Sequence, residues 1–284
     1  MDFHKSMEEY YDTKLKLFGK CKKGIFNIDD EYGERAVDES PSLPIRVGIV
    51  SRGDAYATDI TFRGVNGSEF LYHGTNFLTR ITTNLPGAFN VYNVMAAICC
   101  TVDLGVTPKS ARDAISSLSS IEGRMEIINQ NPTVIIDYAH TPYALECVMR
   151  TLSAHKGAGR LITIFGCGGN RDKEKRAPAG RIVTKYADIG IITEDNSRDE
   201  SPEAIFSDIL RGIGDTKSVC LIPKRYDAIK HALSIARPED TVAIIGKGHE
   251  RYIVDKDGYR EFDERKAVYD CLKSREEDRH ADQT

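Results

Sequence analysis

Apolar positions near the start of the chain recur at helical spacing: Met7, Tyr10, Tyr11, Leu15 and Phe18 follow one another every few residues. Ser6-Met7-Glu8-Glu9 carries a capping-box pattern, so a helix is predicted to begin at once. Lys14 falls on the same stripe, and two readings of it are open. Its stem can lie along apolar neighbours with the ammonium in water, or the amine can be desolvated and available for chemistry. From Gly24 to Leu78 the pattern changes to short strands. Ile25-Phe26-Asn27-Ile28 and Val47-Gly48-Ile49-Val50 read as buried, and the stretch from Glu31 to Pro44 as a polar surface excursion. Asp59-Ile60-Thr61-Phe62 and Glu69-Phe70-Leu71-Tyr72 alternate around Asn66-Gly67, which predicts a hairpin. Pro86-Gly87 opens a helix from about Asn90 to Leu104, and Thr107-Pro108 caps another reaching about Leu118.

Ser119-Ser120-Ile121-Glu122-Gly123 reads as a domain boundary, dividing the chain into residues 1–120 and 121–284. Beyond it strands and helices alternate. Val134–Asp137, Leu161–Phe165, Asp188–Thr193, Val219–Ile222 and Thr241–Ile245 are β-branched apolar runs, and helices capped by Thr141-Pro142 and Ser201-Pro202, among others, separate them. That rhythm predicts an α/β fold with a doubly wound parallel sheet. A hairpin at Asp257-Gly258 and a helix from about Asp263, leading to a frayed charged tail, complete it.

Two loops at predicted carboxyl ends of strands carry the candidate chemistry, since ligands of open parallel sheets sit there. Gly166-Cys167-Gly168-Gly169-Asn170-Arg171-Asp172 follows one strand and Glu194-Asp195-Asn196-Ser197-Arg198 the next. The glycine run reads either as a ligand loop or as a tight turn without one. It is not a dinucleotide fingerprint, because Arg171 stands where the third glycine belongs. The second loop reads either as a solvated turn or as a site for a ligand bearing both an ammonium and a carboxylate.

Composition narrows the partners. The 284 residues are 40% hydrophobic and 29% charged, with a net charge of −4, which gives no reason to expect nucleic acid or an anionic membrane. No apolar run has the length of a membrane span. The seven cysteines lack paired spacing and read as reduced thiols of a cytoplasmic protein.

Several segments, in order along nearly the whole chain, resemble the Mur ligases. They are Asp2-Phe3-His4 through Met7-Glu8-Glu9-Tyr10, Pro86-Gly87-Ala88-Phe89-Asn90-Val91-Tyr92-Asn93, Gly123-Arg124-Met125-Glu126 and Asp137-Tyr138-Ala139-His140-Thr141-Pro142. Phe165–Asp172, Asp195-Asn196-Ser197-Arg198 and Gly246-Lys247-Gly248-His249-Glu250 narrow the likeness to the members that add a diamino acid to the peptidoglycan stem peptide. The resemblance implies a truncated central ATPase domain followed by a Rossmann-like carboxyl-terminal domain. It implies ATP and Mg2+, with an acyl phosphate formed on UDP-N-acetylmuramoyl-L-alanyl-D-glutamate and attacked by the amine of meso-diaminopimelate. By the same resemblance Lys14 is a carbamylated lysine holding magnesium. Asn93, Arg124 and Asp137 contact the nucleotide, with Arg124 on its terminal phosphates. Arg171, Asp195, Asn196, Arg198, Gly246 and Glu250 form the amino-acid pocket. His4, His140 and His249 receive no role.

Two departures stand out. Ser197 occupies a position where the family pattern has proline, and no Gly-x-x-x-x-Gly-Lys-Ser/Thr phosphate loop occurs. The chain is therefore expected to begin inside the central domain, to expose core there, and to be inactive without a separate amino-terminal half. Two alternatives remain at this point: a sister ligase, lysine-adding or folylpolyglutamate synthase-like, and a non-catalytic amino-acid-binding remnant.

Overall fold

In a computed structural model, the structure describes residue 4, residues 6–214 and residues 218–281. Asp2 and Phe3 of the first motif, and the tail beyond Ala281, lie outside them. The chain divides into two compact units, Met1–Ser119 and Ser120–Thr284.

In the first unit, α1 (Met7–Phe18) is capped by Ser6, whose hydroxyl accepts from the Glu9 N–H at 3.1 Å. It is followed by β1 (Lys23–Asn27), α2 (Glu31–Glu39), β2 (Leu43–Gly48), β3 (Ala55–Phe62), β4 (Ser68–His73), β5 (Leu78–Thr83), α3 (Ala88–Asp103) and α4 (Pro108–Ser117). The five strands form one sheet in order β1-β2-β3-β4-β5, parallel as far as β3 and antiparallel after it. The expected hairpin is β3–β4. Its core joins Phe70, Tyr72 and Ile81 of the sheet to Val91, Val94, Met95 and Ile98 of α3.

Two expectations fail here. The stretch Glu31–Pro44 is no loose excursion: Asp30 caps α2 by accepting from the N–H groups of Tyr32 and Gly33, and Leu43 and Pro44 already belong to β2. Glycine is required at 33 because a Cβ there would collide with the Asn27 carbonyl. The apolar stripe of α1 is also narrower than its spacing suggests. Tyr11 is buried, and Leu15 and Phe18 pack beside it against Phe26 and Ala36, while Met7 and Tyr10 are 45% and 40% exposed.

The second unit runs β6 (Glu126–Gln130), β7 (Thr133–Asp137), α5 (Pro142–His155), β8 (Leu161–Phe165), a single 3-10 turn (Lys173–Lys175), α6 (Arg176–Tyr186), β9 (Ile189–Ile192), α7 (Pro202–Leu210), β10 (Val219–Leu221), α8 (Arg225–Ile235), β11 (Thr241–Ile245), β12 (Tyr252–Asp255), β13 (Gly258–Glu261) and α9 (Glu264–Ala281). The sheet order is β10-β9-β8-β11-β7-β6, with every pair parallel except the edge strand β6. Successive strand residues face opposite ways. Ile162 and Ile164 join the core built on α8 and α9, while Thr163 on the other face donates to the Met149 sulfur of α5. Both faces are therefore covered, which explains the unbroken apolar runs. Asp137, Ile245, Phe165 and Ile192 are registered neighbours across four strands, so β7, β11, β8 and β9 end in one level row.

Candidate functional site

The loops leaving that row meet. At the end of β9, Asp195 and Asn196 face Gly246–Glu250 from the end of β11. The Asn196 amide makes three bonds: Nδ2 donates to Glu250 Oε2 at 2.8 Å, and Oδ1 accepts from Lys247 Nζ and from the Val254 N–H, both at 3.0 Å. Lys247 is fully buried and also reaches Glu250 Oε2 at 3.0 Å and Asp195 Oδ1 at 3.6 Å. Burial pushes the Asp195 carboxyl up, but Lys247 and Arg225 outweigh it and hold the group below its usual range. Gly246 has φ +122°, and a Cβ there would sit 3.0 Å from Asp195 Oδ2. The glycine thus lets the strand end approach the carboxylate closely.

Arg198 adopts φ +53°, a left-handed conformation uncommon outside glycine. Its own N–H donates to the Val254 carbonyl at 3.0 Å, and Nη1 donates to the carbonyls of Gly169 and Asn196 at 2.9 and 3.2 Å. The Gly169 N–H returns a bond to the Asn196 carbonyl at 2.8 Å, stitching the glycine loop to this one. Among the described residues Nε and Nη2 of Arg198 have no partner, so the guanidinium offers one edge for a carboxylate. Arg171 is exposed on the glycine loop. The structure therefore gathers Asp195, Asn196, Arg198, Gly246 and Glu250 around one end of the sheet.

Beneath the row lies a pair that the sequence does not disclose. Arg225, fully buried, donates through Nε to Glu264 Oε1 at 2.6 Å, through Nη2 to the Ile245 carbonyl at 3.0 Å and through Nη1 to the Glu194 carbonyl at 3.2 Å. It ties the carboxyl ends of β9 and β11 to the start of α9. Burial raises the Glu264 carboxyl despite the arginine beside it. Lys247 was equally unassigned by sequence, though a lysine between two glycines at a strand end is a visible signal.

The residues expected to meet a nucleotide are placed less uniformly. The Arg124 guanidinium is exposed and lies 4.6 Å from the Tyr138 ring centroid, a geometry that suits a phosphate ligand. Tyr138 also contacts the rings of His140 and His249 at 4.8 and 5.1 Å, and burial and Glu250 push its phenol up. Asp137 is only 5% exposed, and its two oxygens accept from the N–H groups of Met125 and Ala139 at 2.8 and 2.7 Å. Burial raises its carboxyl against those two bonds. That arrangement ties the carboxylate to the backbone on either side of it. In the first unit, Asn93 is exposed with Nδ2 donating to Asn90 Oδ1 at 3.0 Å. Lys14 is exposed as well, its Nζ 5.5 Å from the Tyr10 ring centroid. In this chain Lys14 lies off the packed side of α1, which α2 and β1 cover at Tyr11, Leu15 and Phe18. The described residues contain no group of three or more His, Cys, Asp or Glu side chains placed to hold a metal. All seven cysteines are free.

Residues 1–101 match the Mur ligase middle domain, and residues 123–248 match the Mur ligase glutamate ligase domain. The chain belongs to the Mur ligase family. Among relatives of this Mur ligase chain is UDP-N-acetylmuramoyl-L-alanyl-D-glutamate–2,6-diaminopimelate ligase 1 of Clostridium acetobutylicum, 39% identical over 277 residues, covering 96% of this chain and 57% of the relative. The ligase of the same description from Aquifex aeolicus is 42% identical over 259 residues, covering 89% of this chain and 52% of the relative. A solved diaminopimelate ligase superposes with a TM-score of 0.61 at 30% identity, over 96% of this chain and 58% of that one. The Mur ligase chain thus spans a little over half the length of the relatives it matches.

Proposed function

We propose that this chain is the portion of an ATP-dependent amide-bond ligase that holds the incoming amino acid, meso-diaminopimelate. Its amine would attack an acyl phosphate made on the D-glutamyl carboxylate of UDP-N-acetylmuramoyl-L-alanyl-D-glutamate, in the cytoplasm, as a step of peptidoglycan synthesis. The observation that carries this reading is the convergence of Asp195-Asn196-Ser197-Arg198 with Gly246–Glu250 on one level strand end, where an open guanidinium edge lies beside carboxylates. The names of the relatives support the choice of amino acid. When bound, ATP supplies the phosphoryl group that activates the carboxylate. Arg124 suits its terminal phosphates, Asn93 offers an exposed amide, and Asp137 contributes by fixing the Met125 and Ala139 backbone beside Arg124. Lys14 as a carbamate that helps to hold magnesium remains part of this reading.

Meso-diaminopimelate differs from lysine by a carboxylate at the far end, so a selective site needs a cation there, and Arg198 is that cation. Losing a charged partner in a partly dry site costs about 1.5–3 kcal/mol, or roughly 10- to 100-fold. Calorimetry on the chain should give binding of meso-diaminopimelate that exceeds lysine by this margin. Arg198→Ala should bring the ratio close to one by weakening diaminopimelate. Equal affinities in the unmutated chain, or no binding of either ligand, would remove the amino-acid reading.

A further inference from the structure

The motif Gly246-Lys247-Gly248-His249-Glu250 places between two expected pocket residues a lysine that has so far received no role. Its side chain is fully buried, and its Nζ lies 3.0 Å from Asn196 Oδ1, 3.0 Å from Glu250 Oε2 and 3.6 Å from Asp195 Oδ1. The aromatic ring of Tyr252 lies 5.5 Å away. Every one of those oxygens belongs to a residue expected in the amino-acid pocket. A buried ammonium is tolerated only when its protons are matched in this way.

The hydrogen bonds then sort what is left for a ligand. Asn196 Oδ1 has two lone pairs, and both are taken, by Lys247 and by the Val254 N–H. Its Nδ2 gives one hydrogen to Glu250 and keeps one. Asn196 can therefore donate to a ligand carboxylate but cannot accept from a ligand ammonium. Asp195 Oδ1 is already engaged by the Asn196 N–H at 2.6 Å and by Lys247. Among the oxygens that Lys247 does not touch are Glu250 Oε1 and Asp195 Oδ2. Two carboxylates against one resident ammonium leave one net negative charge, which matches a single ligand ammonium. The remaining Asn196 hydrogen and the open edge of Arg198 face the other requirement, a carboxylate.

We propose that Lys247 is the specificity-determining residue of this site, a built-in cation that occupies the position a bare alkylammonium end would otherwise take. The inference rests on the amino-acid reading above and deepens it. A ligand whose far end is ammonium alone finds that position filled and keeps only the remaining carboxylate oxygens, whereas an end carrying ammonium and carboxylate together also gains the Asn196 hydrogen and the Arg198 edge. Arg198 attracts the extra carboxylate, and Lys247 repels the ligand without it.

Lys247→Met tests this, because methionine reproduces the stem as far as Cε and leaves the Nζ position open. In calorimetry on the full chain, the preference for meso-diaminopimelate over lysine should fall at least tenfold, mainly through tighter lysine binding. A residue that merely supports the fold would weaken both ligands together, and an unchanged ratio overturns the proposal. A second readout needs no amino acid. Ammonium chloride should raise the melting temperature of Lys247→Met by several degrees over the same concentration of tetramethylammonium chloride, while the unmutated chain responds equally to both salts. If neither amino acid binds the unmutated chain but ammonium still rescues the variant, the amino-acid reading fails and the resident-cation site stands. If ammonium does no better than tetramethylammonium, the proposal is overturned whatever the ligands do. Should Lys247→Met not fold, Lys247→Met with Glu250→Gln removes the unbalanced charge. That double variant should regain a cooperative melt, and its failure to do so counts against the proposal.

Discussion

The two units treat their expected functional residues in opposite ways. In the second, Asp195, Asn196, Arg198, Gly246 and Glu250 are brought together by the chain itself, over a floor of fully buried cations. In the first, Lys14 and Asn93 stand exposed, each with one modest contact, an aromatic ring for the lysine and a neighbouring amide for the asparagine. The difference teaches where preorganisation resides. A site whose polar groups already satisfy one another can bind without first being ordered, and the second unit has that property. The first unit offers its groups singly, and their chemistry depends on what else is brought to them.

The largest effect should come from cutting the floor of the second unit. Arg225→Met leaves Glu264 buried without its cation and releases the carbonyls of Glu194 and Ile245. Breaking a buried pair by removing one partner costs about 3–5 kcal/mol. Thermal and urea melts should therefore drop sharply, and diaminopimelate binding should go with them. A melt within about 1 kcal/mol of the unmutated chain would mean that the strand ends do not depend on this staple.

A smaller effect tests whether the first unit has an anchor of its own. Asp29 is the candidate: its carboxylate accepts from the N–H groups of Ile49, Val50 and Ser51 at 2.5, 2.9 and 2.7 Å and from the Tyr92 hydroxyl at 2.7 Å. Burial pushes the group up, but these four bonds outweigh it and bring it down to about 2. A lowered folded value means that the stabilisation is complete above the ordinary carboxylate range and disappears as pH falls towards about 2. It amounts to about 2 kcal/mol. Between pH 5 and pH 2 the unmutated chain should lose this much more stability than Asp29→Asn, which starts lower. Parallel acid profiles would show that Asp29 does not hold the first unit together.

The smallest effect sharpens the contrast. Lys14→Ala in this chain should change stability by less than about 0.5 kcal/mol, the range of exposed substitutions away from caps and pairs. A larger loss in a melt would place the Lys14 stem against core after all.

How much of this was legible in the sequence follows the range over which each signal acts. Short-range chemistry read well. The caps at Thr107, Thr141 and Ser201 accept from the N–H groups of Ser110, Ala144 and Ala204 as their spacing foretells. The five apolar runs of the second unit are its five parallel strands. The α2 helix was hidden because its glycine and dense charges obscure any periodicity, although Asp30 signals its start. Strands β5 and β6 went unread for a different reason. Leu78–Thr83 buries only Ile81 and Thr83, and Glu126–Gln130 is half-buried until its exposed last residue, so neither looks apolar enough. In the site, the residues of both loops could be found because strand ends announce them. Arg225 and Glu264 are 39 positions apart, and nothing local marks either as buried.

The level row formed by Asp137, Ile245, Phe165 and Ile192 has a consequence for how such a protein can change. Four strands stop at a common height, so each loop departs from and returns to a floor whose position does not depend on the other loops. The ladder of apolar residues below answers to packing, and the loops above answer both to the ligand and to the bonds that tie them to one another. Substitutions at the half-buried Arg198 and Glu250 can therefore redirect which molecule is accepted at less cost to the fold than changes at the buried Asn196 and Lys247. The strand ends act as a socket, and inheritance can vary the plug.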